Sequence, residues 1–179
     1  MPATRGLLPG GLRADPRIRT PLALDALAVK TVTVGVRRLF PDRDHDLPLP
    51  GYMSSGAAGL DLPAALEGEV TLAPGEIRLI PTGLALAIPE GYEGQIRPRS
   101  GLALRHGIGL VNSPGTIDSD YRGEIGLPVI NLGPKPYTIR RGDRVAQLVI
   151  QAVCRVDLRL SLELDDTERG AQGFGHSGA

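Results

Sequence analysis

The segment Arg97-Pro98-Arg99-Ser100-Gly101-Leu102-Ala103-Leu104-Arg105 stiffens at Pro98 and turns at Ser100-Gly101, so backbone N–H groups can converge beside a guanidinium. Fixed N–H donors, a hydroxyl and a planar fork of charge suit a phosphate. The same residues equally suit a solvated basic turn capping a short helix. Downstream, Asn112-Ser113-Pro114-Gly115-Thr116-Ile117-Asp118-Ser119-Asp120-Tyr121-Arg122-Gly123 reads as a tight hairpin that gathers Asn112, Asp118 and Tyr121. Asp118 follows an apolar residue, so a pocket there would let it accept a proton from water; turn-rich loops also use Asp for structure alone. Asp61 places a carboxylate between Leu60 and Leu62, next to Gly59, and by itself says little. Gln147 sits amid Val145, Ala146, Leu148 and Val149, and a buried amide there needs a protein, water or ligand partner. The nearby Asp143 suits a solvated turn. Finally, Arg169-Gly170-Ala171-Gln172-Gly173-Phe174-Gly175-His176-Ser177-Gly178 is a Gly-rich strap carrying a cation and a flat ring, fitted to close over a phosphorylated ring compound.

These side chains need short, turn-linked elements to hold them. The 179 residues include 24 Gly and 16 Pro, close to twice the usual share of ~12%, which argues against a helical bundle. Val32, Val34 and Val36 alternate with small or polar residues across Thr31 to Leu39, the period of a half-buried strand. Further short apolar runs follow at Gly59 to Leu62, Val70 to Ala73, Ile77 to Ile80, Gly83 to Ile88 and Gly94 to Ile96, separated by Pro- and Gly-containing turns. Glu124 to Asn131 and Arg144 to Leu164 read as longer strands, Phe40 to Gly56 as a loop and Ser100 to His106 as a turn of helix. The pattern predicts an all-β sandwich, jelly roll or small barrel with at most one short helix. Its expected divisions are a flexible extension over residues 1–30, a barrel over 31–164 and a mobile tail over 165–179.

Charge and composition exclude several classes of function. Twenty basic and twenty acidic residues cancel, so no global field draws the chain to nucleic acid or an anionic membrane. No apolar run approaches the ~20 residues that span a bilayer. One Cys and three scattered His lack zinc-site spacing, and Cys154, inside an apolar-rich run, is expected to be a buried, inert thiol. Arg5, Arg13, Arg17 and Arg19 faintly suggest a transit peptide, but Pro2, Pro9, Pro16 and Pro21 break any amphipathic helix, which leaves the cytoplasm as the expected location.

Taken in series, Arg99-Ser100-Gly101-Leu102-Ala103, Ile117-Asp118-Ser119-Asp120-Tyr121-Arg122-Gly123 and Gly142-Asp143-Arg144-Val145-Ala146-Gln147-Leu148, with the Asp61 cluster before and the tail after, resemble the five motifs of the homotrimeric dUTPases. The resemblance runs from about Thr31 to Gly178 and implies a jelly-roll-like β-barrel subunit with three sites at the contacts of a trimer. It implies hydrolysis of dUTP to dUMP and pyrophosphate, which limits uracil in DNA and supplies dUMP for thymidylate synthesis. Asp118 would be the general base that activates water against the α-phosphorus. Tyr121 would pack beneath the deoxyribose, while Asn112 and backbone groups of Thr116, Ile117 and Gly126 would pair with the uracil edge. Arg99, Ser100 and Gly101 would hold phosphate oxygens, and Gln147 would contact the phosphates or a fixed water. Arg169 would neutralise the γ-phosphate, with Phe174 over the base. Mg²⁺ would be chelated mainly by the triphosphate, with Asp61 binding its water shell or supporting the site.

The tail departs from the family's usual Arg-Gly-x-Gly-Gly-Phe-Gly-Ser-Thr-Gly at Gln172, His176 and Ser177, which predicts weaker or pH-sensitive ordering over the γ-phosphate. A dCTP deaminase of the same fold needs a glutamate along the strand after the hairpin, and Ile125-Gly126-Leu127-Pro128-Val129-Ile130-Asn131 has none. A non-catalytic nucleotide sensor is the remaining alternative; Asp118, Arg169 and Phe174 together speak against lost chemistry.

Overall fold

Strand β10 (Gly126–Asn131) shows why the chain folds as it does. Leu127, Val129 and Asn131 point inward and are fully buried, while Gly126, Pro128 and Ile130 face the other way. That two-residue period lets β10 pair on both edges, with β5 (Ile77–Pro81) and β8 (Ile108–Leu110). Asn131 is tolerated in the core because it is satisfied. Its amide donates to the carbonyls of Leu72 and Lys135 at 3.0 and 2.8 Å, and its oxygen accepts from the Gly133 N–H at 2.9 Å.

The computed structural model describes residues 31–173, and from Thr33 onward the chain forms one unit. Two more antiparallel pairs, β1 (Gly35–Arg38) with β6 (Leu84–Ala87) and β4 (Glu69–Leu72) with β11 (Tyr137–Arg140), flank the sheet that bears the site. That sheet has five strands in the order β2 (Gly51–Tyr52), β3 (Leu60–Pro63), β12 (Arg144–Ala152), β7 (Tyr92–Pro98) and β9 (Gly115–Ile117). The common core is aliphatic, built from Leu62, Leu72, Ile80, Ile108, Ile125, Leu127, Val129 and Ile139. The fold is the jelly-roll-like, all-β architecture expected. None of the helices is long and apolar enough to cross a membrane among the described residues.

Helix α2 (Ser100–His106) spans the expected residues and stops at Gly107, whose φ of 69° places it in the left-handed region; its N–H caps the carbonyls of Ala103 and Leu102. A second helix, α1 (Pro41–Asp44), forms inside the predicted loop. Proline at its start presets φ, and buried Asp44 anchors the turn. The predicted hairpin at residues 112–125 does not close on itself. Gly115–Ile117 instead adds to the edge of β7, with Thr116 opposite Gln95 and Ile117 opposite Gly94.

The last strand is shorter than its sequence suggests. β12 ends at Ala152, and residues 153–164 have no strand partner among the described residues. Val156, Leu158, Leu160, Leu162 and Leu164 are each at least three-quarters exposed. Cys154, beyond the strand end, is therefore exposed rather than buried. The alternation is that of a strand, but a strand needs a neighbouring edge and these residues find none among the described residues. The extension over residues 1–30 lies outside the described residues.

Candidate active site

Three strands set a polar row across the five-stranded sheet. Gln147 on β12 stands opposite Asp61 on β3 and opposite Arg97 on β7, so the three side chains share one face. Leu148, Leu60 and Ile96 form the adjacent row on the core side. In a regular strand, Arg144 and Gln147 would point to opposite faces, because they lie three positions apart. A bulge changes this. Arg144 pairs with Pro63 and Ala146 with the next residue, Leu62, leaving Val145 as the extra residue. Val145 and Ala146 are consequently both buried, and Arg144 and Gln147 line the same cleft.

That cleft has a volume of about 520 Å³ and is lined by Gly59, Asp61, Arg97, Arg99, Ser100, Gly101, Arg144 and Gln147, among others. Arg99 leads into α2, whose opening turn leaves the N–H groups of Ser100 and Gly101 without intrahelical acceptors. The Arg99 guanidinium is fixed from two sides: it donates to the Arg144 carbonyl at 2.6 Å and lies 3.1 Å from Asp61 Oδ2. Arg144 approaches the same oxygen at 3.2 Å. These are charge contacts rather than aligned hydrogen bonds, since buried Asp61 Oδ2 has no hydrogen-bond partner. One carboxylate thus holds two guanidinium groups, and with Arg97 the cleft keeps an excess of positive charge that suits a polyanion.

Gln147 finds a protein partner. Its Nε2 donates to the Pro98 carbonyl at 2.9 Å, which ties the strand to the turn carrying Arg99 and Ser100. Gly59 makes this possible, because a Cβ there would overlap the Gln147 amide oxygen. Asp143, as expected of a turn residue, accepts from the Arg140 N–H at 2.8 Å.

Asp118 lies elsewhere. It is exposed on a second cleft of about 900 Å³ lined by Glu90, Glu93, Asp118, Asp120 and Arg122, and no residue lines both this cleft and the cationic one. Asp118 and Tyr121 share a turn, closed by the Tyr121 N–H to the Asp118 carbonyl at 3.2 Å. The Asn112 amide packs against Gly115, in the space that a Cβ would fill. Thr116, Ile117 and Gly126 continue the chain around this turn. The structure therefore brings together Asp61, Arg99, Ser100, Gly101 and Gln147 on one cleft and places Asp118 on another, which Asn112, Thr116, Ile117, Tyr121 and Gly126 do not line.

In the tail, Arg169 is exposed and its Nε donates to the Gln172 carbonyl at 2.8 Å, within its own turn. Phe174 lies outside the described residues, as do His176 and Ser177. No group of three or more His, Cys, Asp or Glu among the described residues is placed to hold a metal ion. Asp61, the carboxylate of the cationic cleft, is engaged by Arg99 and Arg144. Sequence reasoning missed Arg144 as a site residue. Gly142-Asp143 marked a turn, but nothing in the residue types announced the bulge that aims Arg144 into the cleft.

Comparison with known proteins agrees with this geometry. A family model described as dUTPase matches residues 45–178. The chain is 62% identical over 133 residues to the deoxyuridine 5′-triphosphate nucleotidohydrolase of Caldanaerobacter subterraneus subsp. tengcongensis, covering 74% of this chain and 90% of that relative. It is 60% identical over 147 residues to the enzyme of the same name from an Anaeromyxobacter species, covering 82% and 98%. Among solved structures, the dUTPase of Staphylococcus bacteriophage 80alpha with dUpNHpp superposes with a TM-score of 0.73 at 29% identity, covering 83% of this chain and all of that one. The dUTPase of S. aureus phage phi11, whose structure details coordination of a structural Mg(II) ion, gives a TM-score of 0.63 at 28% identity over 73% of this chain and 97% of that one. A family match over most of the chain, at these identities and with the same fold, shows that the chain belongs to the dUTPase family.

Proposed function

We propose that this chain hydrolyses dUTP to dUMP and pyrophosphate, the triphosphate entering as its magnesium complex. The observation that carries the reading is the cleft in which Arg97, Arg99 and Arg144 face a single carboxylate beside Ser100 and the start of α2. Such a charge balance suits a triphosphate better than an uncharged nucleoside. Magnesium on the phosphates would neutralise part of their charge; everything else falls to the chain's own groups.

Arg99, Ser100 and the Gly101 N–H hold phosphate oxygens, Arg144 adds a second guanidinium, and Gln147 keeps the Arg99 turn in place. Asp118 takes a proton from water as the water oxygen bonds to the α-phosphorus and the bond to the bridging α,β-oxygen breaks, releasing pyrophosphate. Asn112 and the backbone of Thr116, Ile117 and Gly126 read the uracil edge, Tyr121 lies beneath the sugar, and Arg169 and Phe174 close the site. Phosphoryl transfer draws mainly on positioning and charge neutralisation: a closing arginine contributes ~10³-fold or more and a general base ~10²–10⁴-fold.

The working unit is a homotrimer in which neighbouring chains complete each site. Two features support this. Asp118 is exposed on a cleft that shares no residue with the phosphate cleft. The exposed Val156, Leu158, Leu160, Leu162 and Leu164 present an apolar edge with no partner among the described residues.

The test is release of pyrophosphate from dUTP with Mg²⁺, alongside dTTP, dCTP and UTP, for native protein and Asp118→Asn. We expect turnover of dUTP alone, reduced at least ~10²-fold by the substitution. Binding of dUTP without pyrophosphate release would leave a nucleotide sensor, and ammonia from dCTP would indicate a deaminase.

A further inference from the structure

An aromatic side chain that is 45% exposed on a loop ordinarily samples several rotamers, yet the surroundings of Tyr121 hold its ring in one place. The ring lies over Gly123: a Cβ built on that glycine would overlap the Tyr121 hydroxyl and come within 2.6 Å of Cζ and 3.0 Å of Cε2. The hydroxyl donates to the Glu124 carbonyl at 3.1 Å. That carbonyl is in turn on a fixed segment. The Glu124 carboxylate accepts from the Gly83 N–H at 2.8 Å, and the buried Thr82 hydroxyl donates to the Ile125 carbonyl at 2.7 Å. The ring is therefore referenced to the Thr82–Gly83 turn between β5 and β6, which belongs to the body of the barrel.

We propose that Gly123 and Glu124 are positioning residues that set the choice of deoxyribose over ribose by holding the Tyr121 ring. The proposal rests on the reading that Tyr121 underlies the sugar. A flat ring excludes a 2′-hydroxyl only if it does not yield, because a shift of about an ångström opens enough room to admit the extra oxygen. Gly123 leaves the space that the ring occupies, and Glu124 fixes the carbonyl that its hydroxyl grips. Gly123 does not occupy the left-handed region of φ, so alanine fits the backbone there and the added methyl displaces the exposed ring rather than the fold.

The experiment measures kcat/KM for dUTP and for UTP in native protein, Gly123→Ala, Tyr121→Ala and the double variant, with Tm recorded for each. Gly123→Ala should lower the dUTP/UTP ratio roughly tenfold to a hundredfold, with Tm nearly unchanged. In the Tyr121→Ala background the same change should leave the ratio where Tyr121→Ala alone puts it, since the effect runs through the ring. Glu124→Ala should lower the ratio, and Glu124→Gln should restore it, because an amide oxygen still accepts from the Gly83 N–H. A native ratio in Gly123→Ala, or an equal effect of that change in both backgrounds, overturns the proposal. If Tyr121→Ala itself leaves the ratio unchanged, the underlying assignment of Tyr121 fails instead.

Discussion

Asp61 shows how far one residue's role depends on its neighbours. A carboxylate between two leucines says little by itself, and the family resemblance had it bind a metal's water shell or support the site; in the fold it stands between Arg99 and Arg144. Its negative charge keeps two mutually repelling guanidinium groups together in a cleft, where the lowered dielectric strengthens both the attraction and the repulsion. Replacing Asp61 with Asn should release them while leaving the backbone pairing opposite Gln147 intact. Steady-state kinetics should show KM for dUTP rising by roughly tenfold, the scale of about 1.4 kcal/mol, with the Mg²⁺ dependence of activity unchanged. A shift in the Mg²⁺ requirement would return Asp61 to the metal. Arg144 is the converse case, ordinary in sequence and placed in the site by a single extra residue in β12.

At the scale of elements, α1 and the turn before β12 are joined by an ion cluster. Asp44 is almost completely buried between Arg43, at 2.7 Å, and Arg141, at 3.2 Å. Arg141 also donates to the carbonyls of Leu66 and Arg43, and Arg38 to those of Asp44 and Leu47. The cluster thus ties α1 and the segment after β3 to the turn that launches β12, and with it Arg144 and Gln147. The hydrogen bond from Arg43, more than offsetting burial and aided by Arg141, holds the Asp44 carboxyl below the usual carboxylate range. A depressed carboxylate pKa contributes stability that is present above the unfolded value of ~3.9 and is lost as pH falls through the folded value. Asp44→Asn should accordingly cost about 3–5 kcal/mol at pH 7 in denaturant unfolding and flatten the acid limb of the stability curve. Equal stability of the two proteins at pH 7 would show that the cluster is ornamental to folding.

For the whole molecule, the decisive feature is the extended segment after β12. Val156 and the leucines at 158, 160, 162 and 164 alternate as in any half-buried strand, but all five are exposed among the described residues. Burial of an apolar side chain contributes about 1.5–3 kcal/mol, so leaving five uncovered is a strong incentive for association. If the proposed homotrimer is built on this segment, substituting Leu158, Leu160 and Leu162 with Ser should shift the mass seen by light scattering from three chains toward one. Activity should fall with it, because Asp118 and the phosphate cleft then have no neighbour to complete them. A trimer of undiminished mass and activity would place the contact elsewhere.

Much of this protein could be read without coordinates. Periodicity located most strands and the extent of α2, because a two-residue apolar rhythm and a Gly stop act locally. Motif residues identified the family and named Asp118, Tyr121, Arg99 and Gln147, because their chemistry is carried by side-chain type. Long-range pairing was not legible. It decided that residues 115–117 join β7 rather than closing a hairpin, that a bulge turns Arg144 into the cleft, and that Asp61 meets two arginines. It also decided that residues 156–164 stay uncovered by the other described residues. Each of these depends on which distant strand supplies the missing hydrogen bonds and apolar contacts, a competition settled only when the sheets assemble.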